Sequence, residues 1–148
     1  MDHITETATQ SMLKTLSSYS LVPQISEGYQ FKDSVAHVQI DFFGDKKALL
    51  IMEMPKEQAC SMASAMMAGM GMPMEVKEFD EMTKSALGEL CNQMSGGICT
   101  TISNDGVILD IKPPQIDLRA EGLNPARATG LDFGLDNKKM NVYFLLLN

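Results

Sequence analysis

Residues 76–100 read as a helix with one apolar face, and that one-sidedness constrains the fold more than anything else in the chain. At 100° per residue, Phe79, Ala86, Leu90, Met94 and Ile98 fall on one broad face, with Leu87 and Cys91 at its edge. Such a helix is stable in water only when another layer covers that face. The covering layer is legible upstream. Residues 35–43 alternate apolar Val35, Val38, Ile40 and Phe42 with polar partners, Gly44-Asp45 makes a turn, and residues 48–54 return as the second strand of a hairpin. Strands joined by short turns form an antiparallel sheet, and helices covering it make the class α+β.

The other elements fit this scheme. Residues 4–18 place Ile4, Ala8, Met12 and Leu16 at helical spacing and end near Ser20 and Pro23. Pro55 opens a shorter helix that Gly69 closes, and a loop follows over 69–74. After the long helix, Asn104-Asp105-Gly106 signals a turn, and residues 107–111 a strand broken at Pro113-Pro114. Residues 116–119 read as a short edge segment and 122–125 as a loop. The last strands, about 127–134 and 139–147, join at Asp136-Asn137. The expected architecture is an antiparallel sheet covered by two long helices and one shorter helix, in a single domain over 1–148. The outline also hints at a doubled unit, one long helix plus a hairpin in each half.

Composition narrows the function. The net charge is −7 and the basic residues are dispersed, so no stripe for nucleic acid exists. The apolar run 142–147 is too short to insert in a membrane, and the polar start MDHITETATQ does not resemble a secretory signal. Cys60, Cys91 and Cys99 form no CxxC pair, which, with 13 methionines, suits a reducing cytoplasm. The run containing Met62, Met66, Met67, Met70, Met72 and Met74 reads as core filler more readily than as an adaptable binding surface. His3 and His37 lie in unrelated segments without ligand spacing, so no metal site is expected.

The polar side of the long helix carries the chemistry. Ser85, Glu89 and Asn92 stand at i, i+4 and i+7 and share one stripe; Gly96 lies on it and Gly88 just beside it. A glycine inside a helix costs about 1 kcal/mol relative to alanine. Close packing within the molecule would explain the glycines, and so would a partner docking on a nearly bare helix surface. A carboxamide can accept one hydrogen bond from water and donate another. Asn92 could therefore hold a water in line with a phosphoryl group, while Glu89 pairs with a partner lysine. Taken alone, an exposed Glu-x-x-Asn is usually a solvated helix face.

Its surroundings alter that reading. Ala86-Leu87-Gly88-Glu89-Leu90-Cys91-Asn92-Gln93-Met94-Ser95-Gly96 resembles the signature helix of the CheC/CheX/FliY phosphatases, and Ser85-x3-Glu89-x2-Asn92 matches its pattern. Pro114, downstream of a strand, stands near the family's proline, and residues 38–67 resemble its hairpin and short helix. The resemblance implies a CheC/CheX-like fold over roughly 4–147 and hydrolysis of the aspartyl-phosphate of a CheY-like receiver in chemotaxis or another two-component pathway. It implies that Glu89 docks a receiver lysine and Asn92 orients the attacking water. Ser85, Gly88, Gly96 and Pro114 would touch the partner, and the required Mg²⁺ would belong to the receiver, leaving this chain with no cofactor of its own. Some relatives carry a second Glu-x-x-Asn on the first helix; here that helix offers Glu6-x-x-Thr9, with Gln10 out of register. One site is the better count, which is CheX-like and implies a homodimer whose sheets join. The alternative function is an adaptor that binds the receiver without turning it over.

Overall fold

The computed structural model describes residues 3–19, 23–72, 75–133 and 138–147. Two long helices, α1 (His3–Ser18) and α3 (Glu81–Ser103), and a shorter α2 (Lys56–Gly69) pack against one sheet. Its strands are β1 (Pro23–Ser26), β2 (Lys32–Gly44), β3 (Ala48–Pro55), β4 (Leu109–Ile111), β5 (Gln115–Glu121), β6 (Thr129–Phe133) and β7 (Lys138–Leu146). All pairings are antiparallel, in the order β1-β6-β7-β3-β2, with β4 and β5 sharing the outer edge of β2. The class is α+β, as the hairpin and the one-sided helices require. Exchanging β1, β2 and β3 for β5, β6 and β7 turns the strand order into its own reverse. The topology is therefore that of a doubled unit, a long helix followed by three strands.

Alternation along the strands selects the helix-facing side. Ala36, Val38, Ile40 and Phe42 of β2 meet Leu50, Met52 and Met54 of β3 and Met140, Val142 and Phe144 of β7 in one buried cluster. Ile116, Val38, Met52 and Val142 form a single row across four strands. Against it lie Ala8, Met12 and Leu16 of α1, Met62 and Met66 of α2, and Leu87, Leu90, Met94 and Ile98 of α3. Each fully buried Leu, Ile or Met contributes roughly 1.5–3 kcal/mol. The methionine run divides: Met62 and Met66 are core, whereas Met70 and Met72 are exposed and Met74 lies outside the described residues.

The opposite side of the sheet carries a polar network under two crossing segments, 27–31 and 122–128. His37 Nδ1 lies 2.7 Å from Glu53 Oε2, and both side chains are buried. The second carboxylate oxygen of Glu53 accepts the Leu123 N–H at 2.7 Å. Asn141 accepts from the Tyr29 N–H and donates to the Tyr29 carbonyl. Tyr143 Oη donates toward the carbonyls of Leu123 and Asn124. These bonds satisfy polar groups that would be costly to bury alone. They give His37 a structural task.

Several boundaries differ from the sequence reading. The long helix begins at Glu81, not residue 76. The Asp80 carboxylate caps it by accepting from the Met82 and Thr83 N–H groups, while the Val76 N–H is taken by Ser64 Oγ. It also runs to Ser103, three residues further than expected, and Gly106, at φ +81°, turns the chain toward β4. β4 is shorter than the expected strand and β5 longer than the expected edge segment. β1 was not anticipated, since four residues at a sheet edge carry no periodicity. The turn expected at Asp136-Asn137 lies outside the described residues.

Candidate functional site

α3 is anchored through its apolar side, and this decides what its other side can do. With Leu87, Leu90, Cys91, Met94 and Ile98 fully buried against sheet and helices, the stripe at Ser85, Glu89, Asn92 and Gly96 must face outward. Ser85 and Glu89 are exposed, and Asn92 and Gly96 are half-buried. Among the described residues, the Asn92 carboxamide has no intrachain hydrogen-bond partner. One turn separates it from Glu89 along a rigid helix.

Two different walls flank the stripe. On one side the chain leaving β4 crosses α3, and a Cβ on buried Gly88 would lie 3.5 Å from Pro114 Cγ and 3.4 Å from Ile116 Cδ1. These are ordinary contact distances, so packing accounts for the burial of Gly88 but does not demand that a methyl group be absent. Pro114 is thereby brought against Gly88, beside the stripe. On the other side stands α1. There Gly97, which sequence reasoning passed over, lets the helices approach: a Cβ on it would come within 2.9 Å of Ser11 Oγ. Gly96 differs from its neighbour. Among the described residues, a Cβ there would meet nothing within 4 Å outside its own stretch of helix.

Sequence reasoning also left Tyr19 and Gln93 without a role. Tyr19 follows the last turn of α1, with its N–H bonded to the Leu16 carbonyl at 3.1 Å and its ring against the core. Its hydroxyl donates to Gln93 Oε1 at 2.5 Å, and Gln93 Nε2 donates to Glu89 Oε1 at 2.9 Å. Burial, together with the Glu89 carboxylate, raises the Tyr19 phenol above its ordinary value, so it stays a donor. The i, i+4 spacing of Glu89 and Gln93 is the one sequence signal for half of this chain of bonds. The Tyr19 contact is long-range and has none.

Nothing in the site favours covalent attack. Burial pushes the Cys91 thiol up to about 12, and Cys60 and Cys99 are also raised, chiefly by burial. Among the described residues no group of three or more His, Cys, Asp or Glu could hold a metal, and no helix is long and apolar enough to cross a membrane. His3 pairs with Asp105 at 2.9 Å, away from the stripe. What remains is a carboxylate and a free carboxamide on a fixed surface: groups suited to docking a cation and holding a water.

The fold has parallels among known proteins. Residues 36–131, which take in α3 and Pro114, match the family model described as chemotaxis phosphatase CheX. The CheY-P phosphatase CheX of Thermotoga maritima is 32% identical over 91 residues, a stretch spanning 56% of this chain and 56% of that protein. The CheX structure from Desulfovibrio desulfuricans superposes with a TM-score of 0.74 at 18% identity, covering 98% of this chain and 99% of that one. A chain of the CheX–CheY–BeF3–Mg²⁺ complex from Borrelia burgdorferi gives a TM-score of 0.69 at 24% identity, covering 99% of each chain. At such identities the structural likenesses establish the fold, and the family model establishes kinship. The chain belongs to the CheX family of chemotaxis phosphatases.

Proposed function

We propose that this chain hydrolyses the aspartyl-phosphate of a CheY-like receiver docked on the outer stripe of α3. The observation that carries this reading is the Asn92 carboxamide, unengaged among the described residues, fixed one turn from exposed Glu89 and one turn from Gly96, where no described neighbour requires a glycine. The Asn92 carbonyl oxygen accepts a hydrogen bond from the water's O–H while its NH2 donates to another acceptor, which restricts the water to an in-line approach on the phosphorus. The P–O bond to the aspartate breaks as the water's oxygen bonds, giving a free carboxylate and inorganic phosphate. Placement alone lowers such a barrier substantially. Glu89 pairs with a receiver lysine and sets the orientation. Ser85, Gly96 and Pro114 frame the contact, and Gly88 seats Pro114. The Mg²⁺ belongs to the receiver, and the reaction takes place in the cytoplasm.

The kinship with a CheY-P phosphatase and the fold shared with a CheY-bound CheX support this substrate class. Purified Asn92→Ala should keep its circular dichroism and bind a phosphorylated receiver, yet release phosphate at least about 100-fold more slowly. Release at the wild-type rate would remove Asn92 from the mechanism. Binding of receiver by the wild-type chain with no acceleration of release would select the adaptor instead.

We also propose a homodimer in which β5 pairs with its copy. Among the described residues β5 bonds to β2 alone, and antiparallel pairing centred on Leu118, itself 42% exposed, would set Asp117 against Arg119 of the second copy. Leu118→Glu places two carboxylates face to face and should give a monomer in sedimentation.

A further inference from the structure

The docking carboxylate is not simply exposed; it is the end of a hydrogen-bond chain that starts on another helix. We infer that Tyr19 and Gln93 are positioning residues, which hold Glu89 in its receiver-docking orientation and tie that orientation to the α1–α3 contact. This inference rests on the docking role proposed for Glu89.

The chemistry of each link fixes its direction. An ionised carboxylate only accepts, and a phenol hydroxyl has one proton to give. A carboxamide placed between them must present its NH2 to Glu89 and its carbonyl to Tyr19, as the 2.9 Å and 2.5 Å contacts show. The carboxamide of Gln93 accepts and donates through one planar group, and from i+4 it spans one helical turn to Glu89. The amide engages Oε1, leaving Oε2 for a lysine of the partner. Glutamate otherwise loses considerable rotamer freedom when it is fixed, and pre-ordering it moves that cost out of the binding step. The Tyr19 ring is packed against the core, so the starting point of the chain is rigid. Tyr19 directly follows Ser18, the last residue of α1, and Gly97 leaves room for α1 to pack close against α3.

A merely structural fastening of α1 to α3 predicts something different: lower thermal stability, and effects independent of Glu89. The experiment measures the affinity of a CheY receiver charged with beryllofluoride and Mg²⁺, together with kcat on the phosphorylated receiver and Tm. Variants are Tyr19→Phe, which keeps the ring, Gln93→Met, which keeps the length, Glu89→Ala, and Gln93→Met combined with Glu89→Ala. Positioning predicts that Tyr19→Phe weakens binding about threefold and Gln93→Met about five- to tenfold, with kcat within about twofold of wild type. The double variant should bind no more weakly than Glu89→Ala alone, because the relay has nothing left to orient. Wild-type affinity in Tyr19→Phe and Gln93→Met, or full additivity in the double variant, overturns the relay while leaving Glu89 as the docking group. Wild-type affinity in Glu89→Ala overturns the docking role itself, and that arm is read separately.

Discussion

α1 and α3 occupy equivalent places in a doubled topology, yet they spend their polar residues in opposite ways. On α3, Glu89 and Asn92 face outward, and the Asn92 carboxamide is unengaged among the described residues. On α1, Glu6 is exposed, but Thr9 is 7% exposed and returns its hydroxyl to the Thr5 carbonyl at 2.9 Å. A Glu-x-x-polar spacing is therefore not a site by itself. The second residue must escape the packing of its own domain, and on α1 it does not.

The largest test exchanges the two situations. Asn92→Thr should slow phosphate release by about 100-fold, because a hydroxyl that bonds to its own helix no longer holds the water. Thr9→Asn should create no second site. It should instead lower stability by about 1–2 kcal/mol, since a larger polar group enters a buried position, and a thermal melt reads this directly. Faster release from Thr9→Asn would break the distinction between the helices.

Adjacent glycines on α3 sharpen the comparison. Gly97 faces α1, so Gly97→Leu should cost about 1–3 kcal/mol by forcing the helices apart, measured by urea unfolding. The buried sides of the helices differ as well, for α3 carries a titratable thiol where α1 buries Ala8, Met12 and Leu16. With Cys91 pushed from an ordinary 9.0 up to about 12, the folded state keeps a proton that the unfolded state loses. That contribution is fully present below pH 9.0 and is lost as pH rises toward about 12. Cys91→Ala should make the alkaline fall in stability shallower across that window, in unfolding measured at stepped pH. The smallest effect is expected at Gly96. Gly96→Ala should stabilise the helix by up to about 1 kcal/mol while weakening receiver binding, because its added methyl meets no neighbour among the described residues. Unchanged receiver affinity would mean that Gly96 is not part of the docking face.

Much of this was legible in the residues. The periodicity of 79–98 separated the buried side of α3 from the stripe, and the alternation in β2 and β3 predicted the hairpin. The start of α3 was misplaced because Val76 and Phe79 are apolar and in phase with the helix. The competition was settled by Asp80, whose carboxylate takes the first free N–H groups, and by Ser64, which claims the Val76 N–H from another element. Buried His37 looked idle because its partner Glu53 lies on a neighbouring strand, directly opposite in register.

The sequence by itself determined the stripe: Ser85, Glu89, Asn92 and Gly96 share a face by helical geometry, whatever surrounds them. Which walls enclose that stripe was decided by the tertiary structure. Pro114 reaches Gly88 because β4 ends beside α3, Tyr19 reaches Gln93 because Gly97 lets α1 approach, and Thr9 is silenced by burial. Local spacing is set by covalent geometry and so can be read along the chain. Contacts between distant segments depend on how every layer packs at once, and no single segment encodes them.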